Sequence, residues 1–129
     1  MPGINVLAAL AAAIAGFVLG AIWYSPIGFL HAWMRTAQIQ KPPTPTPQMF
    51  VLLFVLQLVA ASGFALLLGP APELAFAVRQ ALIVGICLVA ASFAVNDEFE
   101  NRPWRHFLIN SGYHVVRFLV FALILGAWH

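Results

Sequence analysis

The stretch INVLAALAAAIAGFVLGAIWY, residues 4–24, decides the fold class of this chain. It contains no Lys, Arg, Asp or Glu, and it is long enough for a bilayer-spanning α-helix, which needs about 20 mostly apolar residues. A secretory signal peptide would carry a basic region before a shorter apolar core, whereas the first basic residue here is Arg35. We therefore expect residues 4–24 to form a retained transmembrane helix.

The composition of the whole chain agrees with this interpretation. Of the 129 residues, 63% are hydrophobic and 8% are charged, whereas soluble domains carry about 25% charged residues. So few charges cannot cover the surface of a soluble fold, which excludes a soluble enzyme, a DNA-binding domain and a disordered tail. The net charge of +2 also argues against a nucleic-acid partner, which would require clustered basic residues.

Three more apolar runs predict further spans, at residues 49–68, 74–95 and 107–128. Gly69 and Pro70 end the second run, and Pro72 precedes the third, where proline suits the first turn of a helix. The chain is therefore predicted to be all-α. We expect a single domain, residues 1–129, that forms a polytopic bundle of four transmembrane helices.

The loop between the first two runs predicts one shorter helix and a connector. Between residues 26 and 38, apolar side chains recur at helical spacing, which indicates a short amphipathic helix in the membrane interface. These side chains are Ile27, Leu30, Trp33, Met34 and Ala37. Four prolines between residues 42 and 47 then predict an extended, polyproline-like connector.

The positions of the basic residues predict the orientation. Loops 25–48 and 96–106 carry two basic residues each, and the opposite side carries only Arg79, one turn inside the third run. Because cytoplasmic loops are enriched in Lys and Arg, we expect both loops in the cytoplasm and both termini outside. The bacterial cytoplasmic (inner) membrane is the expected location.

Small residues recur every four positions in two of the predicted spans. Such stripes let helix backbones approach closely in lipid, where no hydrophobic force drives helix association. They serve either packing within the bundle, which we favour, or the seam of a homodimer. The stripe residues are Ala8, Ala12, Gly16 and Gly20 in the first span, and Ala77, Ala81 and Gly85 in the third.

Polar residues on the fourth span are the strongest candidates for a functional site. Arg117 lies about midway along this span, where a charge is costly. Asn110, Tyr113 and His114 precede it by seven, four and three residues, so all four share one helix face. The polar residues of the other spans that could meet this face are Gln57, Ser62, Gln80 and Ser92.

Arg117 has no carboxylate at its own depth, since all four acids lie near the ends of the predicted spans. We expect a clasp between Arg117 and Asp97 or Glu98 that locks spans three and four. An anion or lipid head-group site is one alternative, and a proton or ion pathway through His114 and Arg117 is another. A fixed positive charge opposes cations in a pore, which disfavours a simple cation channel.

Cofactor and catalytic chemistry find little support in the sequence. A b-type haem needs axial histidines from facing helices, and His114 is the single histidine well inside a span. A zinc site needs three or four converging ligands, and the spacing of His106 and the nearby acids matches no such pattern. The chain carries no phosphate-binding glycine loop and no catalytic motif. We expect no cofactor, no metal and no enzymatic activity.

Several motifs carry a family resemblance. They are GAIWYSP (residues 20–26) followed by Phe29 and Trp33-Met34, NDEFENRP (96–103), GYH (112–114) and LGAW (125–128). Together they resemble the bacterial domain of unknown function 1761 family, small membrane proteins with four predicted spans. The resemblance implies a four-span fold and no established activity, substrate or cofactor. It also draws attention to Trp23, Tyr24, Ser25 and Pro26, which cap the first span on the same side as Asp97.

Three classes of function follow from these observations. We favour a non-enzymatic accessory, interaction or structural subunit of a membrane assembly, in contact with the lipid bilayer. It would be a homo-oligomer, with a dimer favoured, or a partner of other membrane subunits. The second class is a small oligomeric transporter or channel for an anionic or small polar solute, lined by Asn110, Tyr113, His114 and Arg117. The third class is an enzyme or redox protein, and a lipid- or haem-binding membrane protein is a further alternative.

The surroundings of Arg117 discriminate between these classes. An Arg117 that is closed on a carboxylate of its own chain favours the structural role. An Arg117 without such a partner that faces a cavity favours a ligand.

Overall fold

Every regular element of residues 4–41 and 44–128, which are the residues that the computed structural model describes, is a helix. Four helices are long and apolar enough to cross a membrane: Val6–Trp23, Pro47–Leu68, Leu74–Phe99 and Trp104–Ala127. The prediction of an all-α, four-span membrane fold is confirmed. In chain order the elements are α1 (Val6–Trp23), α2 (Leu30–Ala37), α3 (Pro47–Leu68), α4 (Leu74–Leu82), a π-helical segment (Ile83–Ala90), α5 (Ala91–Phe99) and α6 (Trp104–Ala127).

The helix ends differ from the expected ones by a few residues, and capping explains most of the differences. α3 begins at Pro47 because Thr46 is its N-cap, with the Thr46 hydroxyl accepting from the Met49 backbone N–H, and proline suits the first helical position. α6 begins at Trp104, directly after Pro103. The third span continues through polar residues to Phe99, since a helix extends into the head-group region without needing apolar residues there.

The short helix after the first span is shorter than the amphipathic pattern over residues 26–38. A turn occupies residues 24–29, and α2 then runs from Leu30 to Ala37 and ends at Gln38, which has the left-handed φ of 60°. The proline-rich connector prediction falls partly on residues 42 and 43, which lie outside the described residues. Residues 44–46 are non-helical.

α6 is the central helix of the bundle. It packs extensively against α1, α4 and the π-helical segment, whereas α3 packs mainly against α1 and only sparsely against α4 and α6. The ends of α1 and α6 are joined by a hydrogen bond from the Asn5 amide to the Trp128 carbonyl, 3.0 Å. The side chains that the site requires therefore come largely from α6 and are held against α1.

The small-residue stripes lie inside the bundle. Ala8, Ala12 and Ala81 are fully buried. A Cβ added at Gly85 would lie 3.1 Å from the Cα of Val115, so this glycine lets the π-helical segment approach α6. Within one chain, these stripes serve close packing between helices. A dimer seam stays a prediction.

The buried residues of α3 lie in its C-terminal half, from Gln57 onward, whereas the N-terminal half contacts α1 through the rings of Phe50 and Phe54 against Phe17. In its C-terminal half, Ala61, Phe64, Ala65 and Leu68 are buried. In its N-terminal half, residues 47–56 are all exposed except the half-buried Phe54. The bundle is therefore closed near the C-terminal end of α3 and parts around its N-terminal end, which leaves a cleft.

Candidate functional site

The cleft lies between α1, α2, α3 and α6 and has a volume of about 940 Å³. Pockets that hold small molecules have volumes of about 300–1,000 Å³. One wall is the apolar N-terminal half of α3, and the facing wall is a polar strip of α6. The polar and charged residues that line the cleft are Tyr24, Gln57, Arg102, His106, Asn110, Tyr113, His114 and Arg117.

Arg117 is the more deeply placed of the two arginines that line the cleft, and its side chain is buried, with 9% of the residue exposed. Its Nη1 donates to Gln57 Oε1 at 3.2 Å, and its Nη2 lies 2.8 Å from His114 Nδ1. Because a guanidinium can only donate, His114 Nδ1 must accept, which makes the imidazole neutral with its proton on Nε2. The Nε of Arg117 has no hydrogen-bond partner among the described residues.

The expected clasp between Arg117 and a carboxylate is wrong for the described part of the chain. The hydrogen bonds of Arg117 go to the neutral groups of Gln57 and His114. Asp97 lies near the end of α5, whereas Arg117 lies thirteen residues, or about 20 Å, into α6. The two groups are therefore at different depths, beyond the reach of an arginine side chain. Asp97 is itself buried, and its Oδ2 has no partner among the described residues.

Three aromatic rings surround the Arg117 guanidinium, which has no carboxylate partner among the described residues. The guanidinium carbon of Arg117 lies 5.6 Å from the ring centre of Tyr113, 4.9 Å from that of Phe118 and 5.6 Å from that of Phe121. These are cation–π distances, which attract a cation without neutralising it. The positive charge of Arg117 is thus solvated by rings, an amide and an imidazole.

Tyr113, which lies one helical turn before Arg117 on α6, connects three helices through its hydroxyl. Its hydroxyl accepts from Gln57 Nε2 at 2.6 Å and donates to the Gly16 carbonyl at 3.0 Å. Glycine is needed at position 16 of α1, since a Cβ there would lie 2.6 Å from Gln57 Oε1 and 2.9 Å from the Phe121 ring, and a Cβ at Gly20 would make a tight contact of 3.0 Å with the Tyr113 hydroxyl. The glycines of the first span thus make room for the polar side chains of α3 and α6.

A second hydrogen-bonded chain runs along the outer part of the polar strip. Tyr24 Oη donates to Asn110 Oδ1 at 2.7 Å, and burial raises the pKa of the Tyr24 hydroxyl, so it stays a donor. Asn110 Nδ2 lies 3.1 Å from His106 Nε2, and His106 Nδ1 lies 3.0 Å from Thr36 Oγ1. An amide N–H can only donate, so Nε2 accepts and Nδ1 donates to Thr36. This chain fastens α1 and α2 to α6.

α2 is held over the inner end of the cleft by two more contacts. Arg102 Nη1 donates to the Ala37 carbonyl at 3.1 Å. The Trp33 ring stacks on the His106 ring, with centroids 6.5 Å apart and planes at 24°. α2 therefore forms a cover that is anchored on α6.

The charges that line the cleft are of one sign. Arg102 and Arg117 contribute to its surface, and no Asp or Glu of the described residues does. Low-dielectric walls strengthen the field of such charges. The cleft is therefore suited to an anionic group.

The other candidates from the sequence lie outside the cleft. The Ser25 hydroxyl donates to the Ile22 carbonyl at 2.6 Å and accepts from the Gly28 N–H at 3.3 Å, so it shapes the turn after α1. Ser92 donates to the Leu88 carbonyl. Gln57 is the one polar residue of the second and third spans that meets Arg117. No cluster of three metal-ligating side chains occurs among the described residues.

Two features around the site were not expected from the sequence. His106 belongs to α6, where it lies one turn before Asn110 and extends the polar face; its i, i+4 spacing to Asn110 was the available signal. Trp23 donates from Nε1 to the Ile109 carbonyl at 3.0 Å. No periodicity reveals that bond, since it joins two different helices.

Four apolar helices surround a cleft that is lined on one side by the polar strip of α6. This arrangement defines a polytopic α-helical membrane protein. The sequence model of DUF1761, a family of proteins of unknown function, matches residues 7–126. The chain therefore belongs to the DUF1761 family, as the motif resemblance implied. Comparisons with curated proteins and with solved structures give no match.

The hydroxyl of Tyr113 is expected to stabilise the fold. Replacing Tyr113 by Phe would remove the bond to the Gly16 carbonyl and leave the Gln57 Nε2–H group without its acceptor, at a cost of about 1–3 kcal/mol. Thermal unfolding in a neutral detergent would measure the loss. Tyr24→Phe is the matched control, since the Tyr24 hydroxyl makes one hydrogen bond, to Asn110, whereas the Tyr113 hydroxyl makes two. An equal or larger loss for Tyr24→Phe would contradict this account of Tyr113.

Proposed function

We propose that this protein is a membrane-embedded binding protein for an anionic ligand, with Arg117 as the counter-charge. The observation that carries the proposal is the state of Arg117: a buried guanidinium in the wall of a cleft, with no carboxylate partner among the described residues. An unneutralised charge in the membrane interior is costly. An anion that enters the cleft would reduce this cost.

The neutral neighbours of Arg117 support binding rather than a purely structural role. Gln57 and His114 engage two of the five guanidinium N–H groups. These contacts orient the side chain and leave its charge uncompensated. In a purely structural role the polar residues of the spans would satisfy one another, whereas the charge of Arg117 has only neutral hydrogen-bond partners among the described residues.

The proposed role is binding without catalysis. The groups near Arg117 are an amide, a phenol and a neutral imidazole that already accepts from the guanidinium. They suit the recognition of an anion. The cleft is built from one chain, so the proposal requires no second copy.

Arg117→Gln is expected to weaken anion-dependent stabilisation strongly. The probes are acetate, inorganic phosphate and octanoate, titrated against the protein in a neutral detergent while the melting temperature is followed. Affinity should fall at least about tenfold in the variant, because hydrogen bonds to charged groups contribute about 1.5–3 kcal/mol.

Arg79→Gln is the matched control, since Arg79 is an exposed arginine of α4 outside the cleft. It should leave the affinity unchanged. Equal binding by the wild-type protein and Arg117→Gln would contradict the proposal, as would the absence of stabilisation of the wild-type protein by every probe.

We also propose that loops 25–48 and 96–106 face the cytoplasm of a bacterial cell, with the protein in the cytoplasmic membrane. The support is the excess of Arg and Lys in these loops. In a Cys87→Ser background, Gln40→Cys should react with an impermeant maleimide only after the cells are lysed. Ala71→Cys, at the opposite end of the bundle, should react in intact spheroplasts. The reverse pattern would refute the orientation.

A further inference from the structure

The apolar wall of the cleft is formed by side chains that remain partly exposed. Four residues of α3 line the cleft and are 39–50% exposed. They are Met49, Phe50, Leu53 and Leu56. They lie within the eight residues 49–56, and the first and last Cα atoms are separated by about 10 Å along the helix. Such a surface suits an alkyl chain more than it suits a hydrated ion.

The gap beside this wall opens sideways. Phe93 of α5 lines the cleft opposite α3, yet α3 makes no substantial contact with α5 and packs only sparsely on α6. The N-terminal half of α3 is therefore separated from α5 by a slit. Since both helices belong to membrane spans, this slit faces the bilayer.

The end of the cleft that lies beyond the spans is covered instead. Leu30, Trp33 and Ala37 of α2 line the cleft there. α2 is fastened to α6 through the contacts of Thr36 with His106 and of Arg102 with the Ala37 carbonyl. A ligand from water meets this cover, whereas a ligand from the bilayer meets the open slit.

We propose that the ligand is a lipid-borne amphiphile with one alkyl chain and a small anionic head group, which enters sideways between α3 and α5. This inference rests on the proposed function. The head group lies against Arg117 and the polar strip of α6. The first part of the alkyl chain lies along the α3 wall, and the remainder stays in the bilayer.

Charge complementarity and size both select this occupant. The two arginines of the cleft and the absence of an acid among its described lining residues select an anionic head group over a cationic or neutral one. A volume of about 940 Å³ lies within the range for drug-sized ligands. It therefore accommodates a small head group with part of one chain.

The test compares dodecanoate with acetate, which has the same head group and almost no chain, on the full chain in neutral detergent. Each buried methylene contributes about fourfold in affinity, so dodecanoate should bind at least about a hundredfold more tightly. Leu53→Trp should obstruct the wall and weaken dodecanoate binding about tenfold or more, and it should weaken acetate binding by a smaller factor than dodecanoate binding. Leu52→Trp is the matched control, because Leu52 is exposed and does not line the cleft; it should leave both ligands unaffected.

A photoactivatable dodecanoate analogue locates the chain. It should label residues 49–56 of α3, and excess dodecanoate should compete with this labelling. Equal affinities for acetate and dodecanoate, both dependent on Arg117, would overturn the lipid inference and leave anion binding intact. Dodecanoate binding that Leu53→Trp and Leu52→Trp weaken equally would also overturn it. Failure of every anion to bind would overturn both proposals.

Discussion

The structure depends on how it holds the buried charge of Arg117. Gln57 accepts from the guanidinium and donates to the Tyr113 hydroxyl, which in turn donates to the Gly16 carbonyl. This sequence of bonds joins α6, α3 and α1 at one depth. It also explains why glycine is required on α1, since a side chain at Gly16 would occupy the space of the Gln57 amide. The bonds orient the charge without neutralising it.

The contact between Gln57 and Arg117 lies at the boundary between the closed part and the open part of the bundle. α3 is packed from Gln57 to Leu68 through buried residues at helical spacing, and it is largely exposed from Pro47 to Leu56. Arg117 therefore lies at the point where the packed half of the bundle meets the cleft. A charge at this point faces packed rings on one side and an accessible cavity on the other, as a ligand site in a membrane requires.

The fold was predictable from the sequence, and the site was predictable only in part. Apolar runs of sufficient length predict spans because the bilayer imposes a length, and the shared face of Asn110, Tyr113, His114 and Arg117 follows from helical spacing. The partner of Arg117 was not predictable, since contacts between helices depend on their depth and rotation. A clasp between Arg117 and Asp97 would pair opposite charges, but the two residues lie at different depths in the membrane. The π-helical segment Ile83–Ala90 was also not visible in an apolar run whose periodicity carries little signal.

The central claim is that the charge of Arg117 is compensated by a ligand and not by its own chain. Solid-state NMR of the ¹⁵N-arginine-labelled protein in neutral bilayers tests it directly, with the Arg117 signal assigned by its loss in Arg117→Gln. Added dodecanoate carrying a ¹³C carboxylate should dephase the Arg117 guanidinium signal. Dephasing of that signal by ¹³C-labelled Asp or Glu carboxylates of the protein, with none from dodecanoate, would contradict the account.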